Sequence, residues 1–173
     1  MLLLRNRLIV LELCVGTLED VCRNKYEGPP LPPDETVLYQ ITCGLNYIHS
    51  IPLVHRDIKP VNILISSNPV IIKISDFGLS KPTNDRGTYT VSEIQGTINW
   101  IAPECFTSQN TEGKRGSVKS DIFSTGCVFF YFVTRGIHPF GEDLFIMTNI
   151  RLNNPVNLTS ETILKKKHIF TEA

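Results

Sequence analysis

A chain of 173 residues, 42% hydrophobic and 20% charged, has the length and make-up of about one soluble globular domain, and neither disorder nor repeats are needed to explain it. Seventeen basic residues balance seventeen acidic ones, so no net field draws the chain to nucleic acid or to an anionic membrane surface. The five cysteines, Cys14, Cys22, Cys43, Cys105 and Cys127, form no C-x-x-C pair, which argues against a disulfide framework and a zinc site and fits a reducing, cytoplasmic setting.

The opening Met1-Leu2-Leu3-Leu4 is broken by Arg5 and Arg7, and the run Leu8-Ile9-Val10-Leu11 ends at Glu12, so a buried strand fits better than a signal peptide or anchor. No stretch reaches the roughly 18 apolar residues of a membrane helix. Glu12-Leu13-Cys14-Val15-Gly16 turns toward a polar helix from about Thr17, and Gly28-Pro29-Pro30-Leu31-Pro32-Pro33 excludes helix until Asp34 offers an N-cap oxygen. Val37, Leu38, Ile41, Leu45 and Ile48 then lie on one helical face, with an end near Ser50 before Pro52.

Two short strands follow, around 62–65 and 70–74, joined by the turn Ser66-Ser67-Asn68-Pro69. From Lys81 to Ser92 the chain is polar, aperiodic and rich in turn residues, which predicts a mobile loop. The segment from Asp121 to about Thr134 is apolar around most of a helical circumference and belongs at a domain centre. Beyond Asn153 the pattern fades, and Lys165-Lys166-Lys167-His168 reads as a solvated end. His49, His138 and His168 have no ligand-like spacing, so no metal is assigned to them.

Three signatures occur in order. His55-Arg56-Asp57-Ile58-Lys59-Pro60-Val61-Asn62 matches H-R-D-x-x-x-x-N, Asp76-Phe77-Gly78 begins fourteen residues after Asn62, and Ala102-Pro103-Glu104 comes later. Singly, Asp57 reads equally well as a turn carboxylate and Asn62 as a loop amide. The order and spacing of all three, with a strand hairpin between the first two, make coincidence a poor account. From about Leu8 to Asn149 the chain resembles the eukaryotic protein kinases.

That resemblance implies an α+β protein-kinase-like fold. Residues 1–16 would be a remnant N-lobe strand and hinge, 17–152 an incomplete and mostly helical C-lobe with short β-hairpins, and 153–173 a divergent tail. The cofactors implied are ATP and Mg²⁺. Asp57 would accept the proton of the substrate hydroxyl, and Asn62 and Asp76 would supply the few hard oxygen ligands that Mg²⁺ needs when nucleotide phosphates fill its other positions. Lys59, two residues after the base, has the placement seen in serine/threonine kinases, beside the transferred phosphate, and Thr97 would hydrogen-bond near Asp57 and Lys59. Arg56, Glu104 and Asp121 become supports: Arg56 would meet a phosphorylated activation-loop residue, Glu104 would pair with an arginine late in the domain, and Asp121 would brace the catalytic-loop backbone.

Glu12-Leu13-Cys14 stands where a kinase hinge belongs, with the Glu12 carbonyl and the Cys14 amide on the adenine edge; an ordinary strand end is the alternative. Leu64 would floor the nucleotide pocket, and Leu11 would be its gatekeeper. Ser80, Thr83, Thr88, Tyr89, Thr90 and Ser92 are hydroxyls on the activation segment that phosphorylation could add charge to and Arg56 could then order; Ser92 ranks first, with Thr90 and Thr88 next.

Further stretches narrow the likeness. Leu11-Glu12-Leu13-Cys14, the run from His55 to Ser66, Ile74 to Leu79, Gly96 to Glu104, Asp121 to Tyr131 and His138-Pro139-Phe140-Gly141 are similar to the inositol-requiring unfolded-protein-response sensors, kinases fused to an endoribonuclease. A related interferon-pathway ribonuclease typically lacks the glycine found here as Gly78. The resemblance implies a serine/threonine kinase that autophosphorylates in trans on another copy of a related kinase, at the cytosolic face of the endoplasmic reticulum membrane within a longer parent protein. Direct nucleic-acid binding and a membrane segment are not expected of this chain.

Before Leu8 there is no room for a Gly-rich loop or its phosphate-pairing lysine, which leads to the expectation that the chain alone turns over very slowly. The arginine expected to pair with Glu104 is also missing, which predicts an unpaired carboxylate. Two classes of function therefore stay open: part of an active kinase, or a non-catalytic, pseudokinase-like fragment that competes for kinase interaction surfaces.

Overall fold

The computed structural model describes residues 12–90, 95–106 and 115–159. The expected strand at Leu8 to Leu11, the gatekeeper Leu11, the favoured phosphosite Ser92 and the basic end at 165–168 lie outside the described residues.

Strand β1 (Gly16–Thr17) runs directly into helix α1 (Leu18–Cys22). Thr17 caps that helix reciprocally: its Oγ1 accepts the Asp20 N–H at 3.1 Å, and Asp20 Oδ2 accepts the Thr17 N–H at 2.8 Å. The proline-rich stretch stays non-helical, and α2 spans Asp34–Ser50, with Val37, Ile41, Leu45 and Ile48 buried at the expected spacing. Asp34 does not act as the N-cap. Pro33 holds that position, and the Asp34 carboxylate instead receives Arg135 Nη2 at 2.8 and 2.9 Å. Arg135 reaches it from across the fold and outcompetes the local turn, while the carboxylate still lies in the first helical turn where the dipole favours it.

After β2 (Leu53–Val54), the hairpin between the two central motifs is β3 (Ile63–Ile65) against β4 (Ile72–Ile74), in antiparallel register with Leu64 opposite Lys73. Both strands are shorter than expected. Asn62 belongs to a 3₁₀ turn with Pro60 and Val61, and Ser66 Oγ closes the hairpin through the Pro69 carbonyl at 2.8 Å. β1 pairs with β3 on the other side, making a three-stranded sheet ordered β1-β3-β4.

The segment after Lys81 is more structured than a bare loop. β5 (Lys81–Pro82) pairs with β2, and β6 (Thr88–Thr90) pairs antiparallel with β7 (Arg115–Ser117). Helix α3 (Lys119–Val133) follows, then α4 (Asp143–Arg151). α3 is central, but it is not apolar all round. Ile122 is 55% exposed, and its buried face includes Ser120, Asp121, Ser124 and Thr125. Those hydroxyls bond inward, Thr125 to the Asp121 carbonyl and Ser124 to the Trp100 carbonyl, so their burial leaves no orphan donor.

Two apolar clusters carry the fold. The larger joins Leu18, Val37, Ile41, Ile58, Ile63, Ile65, Val128 and Phe132, and so packs α1, α2, α3, the sheet and the turn that carries Ile58 together. The smaller gathers Ile101, Phe106, Cys127, Phe140, Ile146 and Ile150 under α4. Trp100 packs against both.

Candidate active site

The turn His55 to Asn62 leaves β2 and is fixed from below by Asp121, which is 1% exposed. Its Oδ2 accepts the His55 N–H and its Oδ1 the Arg56 N–H, each at 2.8 Å, and His49 Nε2 lies 2.9 Å from Oδ2. Asp121 therefore holds the backbone of this turn through two consecutive N–H groups. His49, whose own stretch of sequence hints at no role, contributes the third contact.

His55 is fully buried and joins this loop to the next. The Ser75 carbonyl, 2.9 Å from Nε2, can only accept, so Nε2 carries the proton and Nδ1 takes the Asp57 N–H at 3.3 Å. Phe77 packs edge-on against the imidazole at 4.9 Å between centroids. Ser75 also donates its N–H and its hydroxyl to the Asn62 carbonyl, both at 2.9 Å. Asp57–Asn62 and Asp76–Gly78 are thus held as one unit.

Asp57, 6% exposed, receives four hydrogen bonds. Lys59 Nζ at 2.7 Å and Asn62 Nδ2 at 2.9 Å reach Oδ2, while the Thr97 N–H at 3.0 Å and hydroxyl at 2.9 Å reach Oδ1. Lys59 also donates to Thr97 Oγ1 at 2.7 Å, which closes a ring of three side chains. Burial by itself would raise the Asp57 carboxyl, but the hydrogen bonds from Lys59 and Thr97 outweigh it and hold the group below the ordinary carboxylate value. Thr97 comes this close because Gly96 precedes it: at φ 107°, a Cβ on Gly96 would lie 2.7 Å from the Arg56 carbonyl oxygen.

Asn62 spends its amide protons on Asp57, on the carboxylate and on the carbonyl at 2.9 Å each, so its Oδ1 is left without a hydrogen bond among the described residues. Asp76 is exposed and sits in the left-handed region at φ 63°, ψ 71°, where only the Gly78 N–H at 3.3 Å touches its carboxylate. A non-glycine residue held there stores strain of about 1–3 kcal/mol, a cost that recurs at functional loops. No cluster of three or more His, Cys, Asp or Glu able to hold a metal occurs among the described residues. One free amide oxygen and one open carboxylate fit Mg²⁺ that takes its remaining ligands from phosphate and water.

Toward the start of the described chain, Glu12 is exposed and its carboxylate meets Lys73 Nζ at 2.5 Å. Neither the Glu12 carbonyl nor the Cys14 N–H enters a backbone hydrogen bond among the described residues, whereas Val15 N–H already pairs with the Ile65 carbonyl at 2.8 Å. Leu64 sits on β3 between the buried Ile63 and Ile65 and so faces the opposite side of the strand from the core.

The supports divide. Arg56 donates to the Leu79 carbonyl at 3.3 Å and to Gln95 Oε1 at 2.9 Å, and its guanidinium lies 5.1 Å from the Tyr89 ring centre. Glu104 is exposed and is not left without a partner, contrary to the unpaired carboxylate expected from the sequence. Of the phosphosite candidates, Thr90 is exposed and Thr88 is half-buried with its hydroxyl on Asn84 Oδ1 at 3.0 Å. Beside the Asp57 ring runs a groove of about 350 Å³, lined by Lys59, Thr97, Trp100, Tyr131, His138 and Asp143.

Residues 4–168 match the protein kinase domain. The chain is 40% identical over 154 residues to "Serine/threonine-protein kinase/endoribonuclease IRE2" of Homo sapiens, which covers 85% of this chain and 16% of that protein. It is 35% identical over 178 residues to "Sensor for unfolded proteins in the ER ire1" of Schizosaccharomyces pombe, covering 84% of this chain and 16% of that protein. It is also 34% identical over 161 residues to "Inactive serine/threonine-protein kinase/endoribonuclease IRE1-like" of Arabidopsis thaliana, covering 87% of this chain and 28% of that protein. The chain thus spans less than a third of the length of these relatives. With a kinase match across nearly its whole length, the chain belongs to the protein kinase domain family.

Proposed function

We propose that this chain serves serine/threonine phosphoryl transfer, with a second copy of a related kinase as the acceptor protein, in unfolded-protein-response signalling at the cytosolic face of the endoplasmic reticulum. The observation that carries the reading is the ring of Asp57, Lys59 and Thr97, with Asn62 locked to the same carboxylate and to the loop bearing Asp76. Mg-ATP, when bound, would supply the phosphoryl group and neutralise its charge; Asn62 Oδ1 and the Asp76 carboxylate would hold the metal, and the Glu12 carbonyl and Cys14 amide would meet the adenine edge.

The remaining chemistry belongs to the side chains. Asp57, held fixed by four donors, orients the acceptor hydroxyl. A carboxylate of lowered pKa is a weak base, so it takes the proton as the hydroxyl becomes acidic on bonding to phosphorus, which suits a reaction that depends more on positioning than on basicity. Lys59 lies where the transferred charge develops, and the groove past Thr97 and Trp100 has room for the acceptor segment. Among the described residues no helix is long and apolar enough to cross a membrane. The likeness to the Schizosaccharomyces pombe relative named a sensor for unfolded proteins in the ER supports the signalling role.

The test is to incubate the chain with Mg-ATP and serine, threonine and tyrosine peptides, and to follow nucleotide binding by thermal shift. Transfer to serine or threonine that vanishes in Asp57→Asn, together with a Mg²⁺-dependent shift that vanishes in Asp76→Asn, supports the proposal. Absence of both in the parent chain favours the non-catalytic binding role, to which the likeness to a relative named inactive points.

A further inference from the structure

We infer that Tyr89 is a plug on Arg56: its ring occupies the guanidinium, so Arg56 can receive a phosphate from the activation segment only after that ring has left.

Arg56 is enclosed on several sides. Its guanidinium carbon lies 5.1 Å from the centre of the Tyr89 ring, and its donors go to the Leu79 carbonyl and Gln95 Oε1. Tyr89 is only 6% exposed, although the segment that carries it is polar and full of turn residues. Its hydroxyl reaches Cys105 Sγ at 3.8 Å, and burial pushes the phenol up to about 12, so it stays uncharged beside the guanidinium. The space left among Arg56, Tyr89, Gln95, Cys105 and Ser120 is about 20 Å³, which admits one water and no phosphate.

The backbone is shaped for the plug. Tyr89 stands opposite Gly116 in the β6–β7 pair, and a Cβ on Gly116 would come within 2.2 Å of the Tyr89 ring. Only a residue without a side chain at that register leaves the ring its place.

Strand alternation makes the two occupancies of Arg56 exclusive. Thr88 and Thr90 flank Tyr89 and project to the face opposite its ring, Thr90 into solvent. A phosphate added to Thr90 therefore starts on the wrong side of the strand, and turning it toward Arg56 turns Tyr89 out. The consequence for regulation rests on the kinase reading given above, whereas the plug itself does not.

The experiment measures modification of Arg56 by phenylglyoxal in the whole chain by mass spectrometry, with exposed Arg86 as internal reference and resistance of buried Cys127 to alkylation as the check on folding. Arg56 should react slowly in the parent chain and in Tyr89→Phe, and about tenfold faster in Tyr89→Ala and Gly116→Ala, as loss of a desolvated cation–ring contact allows. Hydrogen exchange over residues 88–90 and 115–117 should rise in the same two variants, and inorganic phosphate should protect Arg56 only in them. Equal Arg56 reactivity in the parent chain and in whichever of the two variants keeps Cys127 protected would overturn the proposal, and so would phosphate protection of the parent chain. Neither readout needs phosphoryl transfer, so failure here is distinct from failure of the kinase reading.

Discussion

Asp121 and Arg56 meet at 2.8 Å, carboxylate oxygen to backbone N–H, and Arg56 stands at φ 73°, a conformation uncommon for a non-glycine residue. The neighbouring His55 N–H bonds to the other oxygen, so a single buried carboxylate sets the direction of the chain entering the His55–Asn62 turn.

Removing that carboxylate strands two buried N–H groups and His49. Asp121→Ala should cost about 3 kcal/mol or more in urea unfolding, and Asp121→Asn, which keeps one acceptor, should cost less. A loss below about 0.5 kcal/mol for the alanine variant would show that the loop holds its shape without the brace.

Asp57 gives an acid-side signature. Its folded pKa is lowered, so its contribution to stability is fully present above the unfolded carboxylate value of about 3.9 and is lost as pH falls through the lower folded value. Unfolding free energy followed downward from pH 5 should fall more steeply in the parent chain than in Asp57→Asn. Parallel curves would mean that Lys59 and Thr97 do not favour the ionised form.

His138 acts in a different window. It is 5% exposed, its Nδ1 accepts the Phe140 N–H at 3.2 Å, and Trp100 packs edge-on at 4.8 Å. Burial lowers it from 6.5 to about 4, against the opposing pull of the Asn99 backbone and Asp143. Between about pH 4 and 6.5 the unfolded chain binds a proton that the folded chain refuses, so stability should rise with pH there, by up to about 1.4 kcal/mol per unit. His138→Asn keeps an acceptor for Phe140 and should flatten that slope; an unchanged slope would assign it to other groups.

Thiol chemistry should sort by burial. Cys22 and Cys127 are 4% exposed and burial pushes both up to about 12, while Cys43 is exposed on α2. Iodoacetamide at pH 8 should label Cys43 at least about tenfold faster than Cys22 or Cys127. Comparable rates in mass spectrometry would show that the helices around α3 open readily.

The His55–Asn62 turn, the Asp76–Gly78 loop and their connecting hairpin were legible because each is a short run with a fixed order of residue types; Asp57, Lys59, Asn62 and Thr97 share hydrogen bonds, Asp121 holds the backbone of the same turn, and the Ser75–Asn62 bonds tie in the loop that bears Asp76. The α2 face was legible for another reason, since Val37, Ile41, Leu45 and Ile48 repeat at the helical period. What escaped depends on distant partners. Asp34 looks like a cap until Arg135 is seen to reach it, and Tyr89 looks like a loop hydroxyl until Gly116 is placed opposite it. His49 gives no local hint because its partner, Asp121, is 72 residues away. Gly116 was the one available clue, a residue without a side chain at the point where a ring must pass.

Trp100 is the sole tryptophan, and it touches both apolar clusters while standing edge-on to Tyr131 and His138. The chain therefore carries an unlabelled optical reporter at the seam between its two cores. Loosening of α4 alone, or of the helices under the catalytic turn alone, must alter the surroundings of the same indole. Emission that changes in one step during denaturation would mean that the two cores melt together, and two steps would resolve them as separate cooperative units.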